Sequence, residues 1–176
     1  KETIESIRQY GILSPGIARP RTGGGYEIIS GHRRRHAAEL AGILEMPMII
    51  RNYTDDEATI IMVDSNIQRE DILPSEKARA YRMKYDALKH QGKKSGTKTL
   101  DLVGEAAGDN AKKVQRFIWL SHLSDELLNM VDLKRIGLSQ GIDISFLSKE
   151  SQQWVYTIIR ELNCNITMLQ SNQLKE

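Results

Sequence analysis

Ser30-Gly31-His32-Arg33-Arg34-Arg35-His36-Ala37-Ala38 follows the short apolar run Tyr26-Glu27-Ile28-Ile29 and leads into Glu39-Leu40-Ala41-Gly42. This order describes a strand that turns at Gly31 and feeds a helix stopped at Gly42. A helix start leaves several backbone N–H groups without an intrahelical partner, and those groups attract anions. Three arginines on the first turn oppose the macrodipole at a cost of about 0.3–1 kcal/mol each. A phosphate would offset that cost. Taken alone, the run reads equally as a solvated basic turn or as arginines serving a surface carboxylate. A second stretch, Asp64-Ser65-Asn66-Ile67-Gln68-Arg69-Glu70-Asp71, favours the anion site.

Working outward, residues 1–10 place Ile4, Ile7 and Tyr10 on one helical face, with Gly11 as the stop. Residues 17–20 read as a short strand closed by Pro20, 21–25 as a glycine-rich hairpin loop, and 46–50 as a third, more apolar strand. Thr54-Asp55-Asp56-Glu57 has capping-box spacing, so a helix begins there and ends near Asn66. Pro74 suits the first turn of a long amphipathic helix over 75–91, with Ala78, Tyr81, Tyr85 and Leu88 on one stripe. Gly92-Lys93-Lys94-Ser95-Gly96-Thr97-Lys98 reads as a hinge whose lysines reach a backbone phosphate, or equally as a solvated loop.

Beyond 98 the pattern is helical throughout. Residues 100–107, the turn Gly108-Asp109-Asn110 and the helix 111–120 have a helix-turn-helix layout, with Gly104 four positions before the turn glycine and Val114 and Phe117 facing back. Asn110, Lys112, Lys113, Gln115 and Arg116 would then face DNA, since these residue types bond phosphates and base edges. An ordinary helical hairpin with a basic face is the competing reading. Further helices are expected from Ser124 through Val131, over 138–147 and over 148–162, the last with Trp154, Ile158 and Leu162 as a core stripe.

Composition sets the outer bounds. The 176 residues have room for one medium or two small domains, and a 40% hydrophobic content suffices for a core. A net charge of +2 means that nucleic-acid binding must come from local patches. The single cysteine, Cys164, excludes an internal disulfide and fits a reducing compartment. No stretch approaches the roughly 20 apolar residues of a membrane helix, and no signal peptide is visible.

The glycine-arginine motif after a strand, the Asn-x-Gln-Arg motif some thirty residues later and the helix-turn-helix form a compound pattern that resembles the ParB/RepB family of partition proteins, of plasmid or mobile-element type. There the motifs are usually written GERRxRA and ENxQRxx. The resemblance implies an α+β chain: a small mixed-sheet, nucleotide-binding domain over 1–73, a connecting helix and hinge over 74–98, and an all-α DNA-binding domain over 99–176. It implies CTP with Mg²⁺, a centromere-like double-stranded DNA site, a ParA-type ATPase partner, a homodimeric clamp and a cytoplasmic, nucleoid- or plasmid-associated location. Carried over by motif, Arg19, Ser30, Gly31, His32, Arg33 and Arg34 form the triphosphate loop, and Asn66, Arg69 and Glu70 the second motif, with Asn66 towards the metal. Arginine forks and backbone N–H groups suit phosphate oxygens, and an amide beside a carboxylate suits a metal or water.

Two departures change the expectation. His32 stands where the family has glutamate, and Ser65 replaces the glutamate tied to metal and hydrolysis. Asp64 is rotated by about a hundred degrees on a helix and is a poor substitute. Nucleotide binding with weak, absent or differently supported CTPase activity follows. The family's C-terminal dimerisation module is not recognisable here, so residues 1–176 alone are expected to be monomeric or weakly dimeric. A nuclease or nucleotide-using enzyme on the same N-terminal fold, and a plain helix-turn-helix repressor, are the alternatives. The first needs acids that positions 32 and 65 lack, and the second leaves the arginines without a purpose.

Overall fold

A computed structural model describes residues 2–69, 71–94 and 96–175. They form two compact units, Lys1–Ser65 and Asn66–Glu176. The class is α+β, as expected.

In the first unit, α1 (Glu2–Tyr10) stops where the Gly11 N–H bonds the Ile7 carbonyl at 2.9 Å. Ile7 is buried against Ala37 and Ala38, with Ile4 and Ile12 alongside. Tyr10 is exposed, contrary to the expected stripe. Six residues beyond Ile4, it has turned about 120° off that face. Strand β1 (Gly16–Pro20) is the centre of a sheet of order β2-β1-β3, antiparallel to β2 (Tyr26–Ser30) and parallel to β3 (Met48–Ile50). Helix α2 (His32–Ala41) lies between β2 and β3 in the chain and ends on Gly42. The capping box holds: Thr54 Oγ1 accepts the Glu57 N–H at 3.2 Å and Glu57 Oε2 accepts the Thr54 N–H at 2.8 Å, opening α3 (Asp55–Ile67).

The second unit contains α4 (Pro74–His90), α5 (Thr97–Gly104), a short 3-10 turn (Glu105–Ala107), α6 (Ala111–Leu120), α7 (Asp125–Asp132), α8 (Leu138–Ile144), α9 (Lys149–Leu162) and α10 (Met168–Lys175). The segment read as a connector belongs to its core. Helix α4 packs against α5, α6 and α7, and its Ala78 and Tyr81 are fully buried. The division between units falls at 65/66. Of the expected hinge, residues 92–94 and Gly96 lie outside helices within the second unit, while Thr97 and Lys98 already belong to α5. Ser95 lies outside the described residues.

The stripe on α9 has the expected period and a different phase. Trp154, Ile158 and Leu162 are exposed, while Gln152, Val155 and Ile159 face inward. Gln152 tolerates burial because its amide is satisfied: Oε1 accepts the Ser124 N–H at 2.8 Å, and Nε2 donates to the Leu147 and His122 carbonyls. Trp119, by contrast, packs on Phe146 with ring centroids 5.4 Å apart.

Candidate functional site

In the first unit the start of α2 is built for close backbone approach. Gly31, its N-cap residue, has φ 112°, and a Cβ there would lie 3.1 Å from the Gly16 Cα. The positive φ strains any side chain there, and the close Gly16 backbone leaves little slack for a Cβ. Among the described residues no side chain caps this helix end, and no acidic residue occupies its first turn, so no described side chain takes up the leading N–H groups.

The basic residues around this turn have separate fates. Arg33 is exposed and forms no hydrogen bond or ion pair with any described residue. Arg34 turns back: its Nη1 donates to the Ser14 and Pro15 carbonyls at 2.6 and 2.9 Å, pinning the loop before β1. Arg35 pairs with Glu39 one turn on, at 2.9 Å. Ser30 ends β2 opposite Ile17. His32 lines a cleft of about 400 Å³ with Arg19 from β1 and Asp55, Ala58 and Thr59 from α3.

Arg19 lies within β1, and two carboxylates hold it. Its Nε bonds Glu27 Oε2 at 2.7 Å and its Nη1 bonds Asp55 Oδ1 at 2.7 Å, with the Tyr53 carbonyl at 3.2 Å. The hydrogen bond to Glu27 and then that to Asp55 raise its pKa further above the ordinary arginine value. Glu27 was legible in principle, because counting outward from the 21–25 loop pairs Arg19 with Glu27 across the hairpin. Asp55 is a long-range partner that no local pattern announces. The Asp55 side chain is almost fully exposed, so an incoming oxyanion would compete with it for the guanidinium at little desolvation cost.

The second motif falls in the other unit. Asn66 is exposed near the end of α3, and its carbonyl accepts the Arg69 N–H at 3.2 Å. Arg69 is exposed, and Glu70 lies outside the described residues. Ser65 Oγ donates to the Ile61 carbonyl at 2.8 Å, within its own helix. Among the described residues no group of three or more His, Cys, Asp or Glu side chains is arranged to hold a metal.

In the second unit the turn before α6 is tightly built. A Cβ at Gly104 would lie 2.0 Å from the Asp109 carbonyl oxygen, so only glycine lets α5 meet the turn. Asn110 caps α6, its side chain accepting the Lys113 N–H at 2.9 Å. Val114, Phe117 and Leu120 are buried, as the helix-turn-helix layout requires.

Outward, Lys112, Gln115 and Arg116 line a cleft of about 540 Å³ together with Thr97 and Leu100 of α5, Ser139 and Asp143 of α8, and Met168 and Asn172 of α10. Lys113 is directed differently. Its ammonium bonds Asp109 Oδ1 at 2.7 Å, while Lys77 and the Tyr81 hydroxyl reach Oδ2, each at 2.6 Å. Burial alone would raise the Asp109 pKa, but these three hydrogen bonds prevail and bring it down to about 2. Burial, then the bond to Asp109, raises the Tyr81 pKa. This cluster was missed from sequence because its members come from two helices and a turn.

Comparison with known proteins agrees with this architecture. Residues 1–67 match the ParB N-terminal domain. Over 166 residues, 94% of its length, the chain is 34% identical to the probable chromosome 1-partitioning protein ParB of Deinococcus radiodurans. Over its whole length it is 32% identical to the chromosome-partitioning protein Spo0J of Thermus thermophilus. It spans 54% and 61% of those two relatives. The fold is similar to that in a crystal structure of C-terminally truncated chromosome-partitioning protein ParB from Caulobacter crescentus complexed to the centromeric parS site. There the TM-score is 0.60 at 21% identity, over 99% of this chain and 87% of that one.

Proposed function

Since the chain belongs to the ParB family of partition proteins, we propose that it is a nucleotide-gated DNA-binding protein of the partition apparatus, with CTP as the nucleotide and a centromere-like duplex as the DNA. The observation that carries the reading is the start of α2: a helix end without a side-chain cap among the described residues, behind a glycine whose φ of 112° disfavours any side chain, with Arg33 exposed beside it and bonded to no described residue. Open N–H groups plus a free guanidinium fork are the donor set of a polyphosphate site. Arg19 and His32 would add to it from the adjoining cleft, with Arg19 exchanging Asp55 for a phosphate oxygen. Asn66, Arg69 and Glu70 belong to the same reading through the second motif.

Mg²⁺ takes one or two carboxylates plus substrate phosphates, and in this reading the second motif would offer it the Asn66 amide oxygen beside the Glu70 carboxylate, with the triphosphate supplying further oxygens. The Ser65 hydroxyl bonds its own helix and supplies no carboxylate, which supports binding with little turnover.

For the DNA arm, α6 offers Lys112, Gln115 and Arg116 on its solvent side, types that bond phosphates and base edges. A dimeric clamp and a ParA-type ATPase partner complete the proposal, and both rest on family membership. Calorimetric titration with CTP, ATP, GTP and UTP in the presence of Mg²⁺ tests it. Heat from CTP alone is expected, and the absence of binding by any nucleotide up to millimolar concentration would overturn the reading.

A further inference from the structure

The guanidinium of Arg116 does not hang freely in the cleft beside α6. Its Nη2 donates to Ser139 Oγ at 2.9 Å, across to the first turn of α8. Both residues are half-buried. The position of that hydroxyl is itself fixed. Two residues further along α8, Gly141 is buried so closely that a Cβ there would meet Leu120 Cδ1 of α6 and Val131 Cγ2 of α7, each at 3.0 Å. Ile142 and Ile144 are also buried. Helix α8 is thus locked against α6, and Ser139 is carried by the lock.

An unrestrained arginine samples many rotamers, and reading one base edge requires a single placement of its planar fork. One terminal nitrogen is held by Ser139, and the residue lines the cleft that Lys112 and Gln115 share, its other N–H groups engaged by no described residue. We infer that Ser139 is a positioning residue for DNA sequence discrimination: it touches Arg116, sets the angle of the guanidinium and so sharpens the choice of one base pair without contacting a base. A merely structural hydroxyl would act on stability, and a phosphate-binding one on overall affinity. This inference rests on the reading of α6 as the DNA-contacting helix.

The test is selection from a duplex pool with a randomised centre, read by sequencing, for the wild type, Arg116→Ala, Ser139→Ala and Ser139→Thr, with thermal melts of each. The wild type should enrich one motif, and Arg116→Ala should lose preference at one base position of it. Ser139→Ala should relax that same position by roughly 3- to 10-fold, the span of one net hydrogen bond. The other positions and the melting temperature should stay unchanged, and Ser139→Thr, which keeps the hydroxyl, should restore the preference. A Ser139→Ala spectrum identical to wild type, or weakened evenly at every position, overturns the inference and leaves DNA recognition by α6 standing. A wild type that enriches no motif overturns both.

Discussion

The Asp109 carboxylate accepts a hydrogen bond from the Tyr81 hydroxyl at 2.6 Å, fastening the turn before α6 to the buried face of α4. With Lys77 on the same oxygen and Lys113 on the other, the pitch of α6 is set from α4 as much as from α5. The ring of Tyr81 also meets Phe117 of α6 edge-on, with centroids 6.0 Å apart.

Acid should undo this latch. The folded Asp109 pKa of about 2 lies below the ordinary carboxylate value, so its stabilisation is complete at neutral pH and disappears as pH falls from about 4 to about 2. Asp109→Asn is expected to cost about 2 kcal/mol at pH 7 and far less near pH 2.5. Urea unfolding at the two pH values measures both, and an equal deficit at each would show that the ion pairs contribute nothing to the effect.

Gly104→Ala should be among the most damaging single methyl additions to the second unit. The clash is with a backbone oxygen, which cannot rotate away as a side chain can, and Val114 Cγ2 closes the other side at 2.8 Å. A loss of about 3 kcal/mol or more is expected, read as a lowered thermal midpoint of the second unit. Wild-type stability in this variant would mean that α5 and the turn shift apart freely.

Local chemistry was readable and tertiary choice was not. The Thr54–Glu57 box, the break at Gly42 and the Gly104–Gly108 spacing each express a constraint contained within a few residues, and each appears where expected. The phase of α9 depended on whether Gln152 finds backbone partners on distant turns. Once it does, Trp154 is forced to the surface. Likewise the arginines of 33–35 look alike in sequence; the i,i+4 pair of Arg35 with Glu39 follows from helix spacing, but only the fold turns Arg34 back to the loop before β1 and leaves Arg33 bonded to no described residue. Helix α10 carried no clear period and was not foreseen. It is held by the buried Ser171, whose hydroxyl donates to Asp143 of α8 at 3.0 Å.

That division among arginines yields a discriminating pair. Arg33→Ala should leave the melting temperature within about 1 °C of wild type, as for an exposed side chain bonded to no described residue, and remove most nucleotide binding. Arg34→Ala should cost about 1.5–3 kcal/mol, because two charge-assisted bonds to the Ser14 and Pro15 carbonyls are lost. Faster amide hydrogen exchange over 12–17 would accompany it. Identical behaviour of the two variants in both assays would contradict the separation of roles.

Lys112 and Lys113 should likewise separate on DNA. Lys112 is exposed and lines the cleft beside α6, with no ion pair to any described residue. Its replacement by alanine should lower affinity about evenly across sequences and reduce the slope of log K against log salt by about 1, with no change in stability. Lys113 must first leave Asp109, so whatever it gains from a phosphate is offset by the bond it abandons. Lys113→Ala should therefore alter the salt slope less than Lys112→Ala while lowering the unfolding free energy. Binding isotherms at four salt concentrations and a urea melt for each variant decide the matter. A larger salt effect at Lys113 would mean that the Asp109 pair opens readily in the complex.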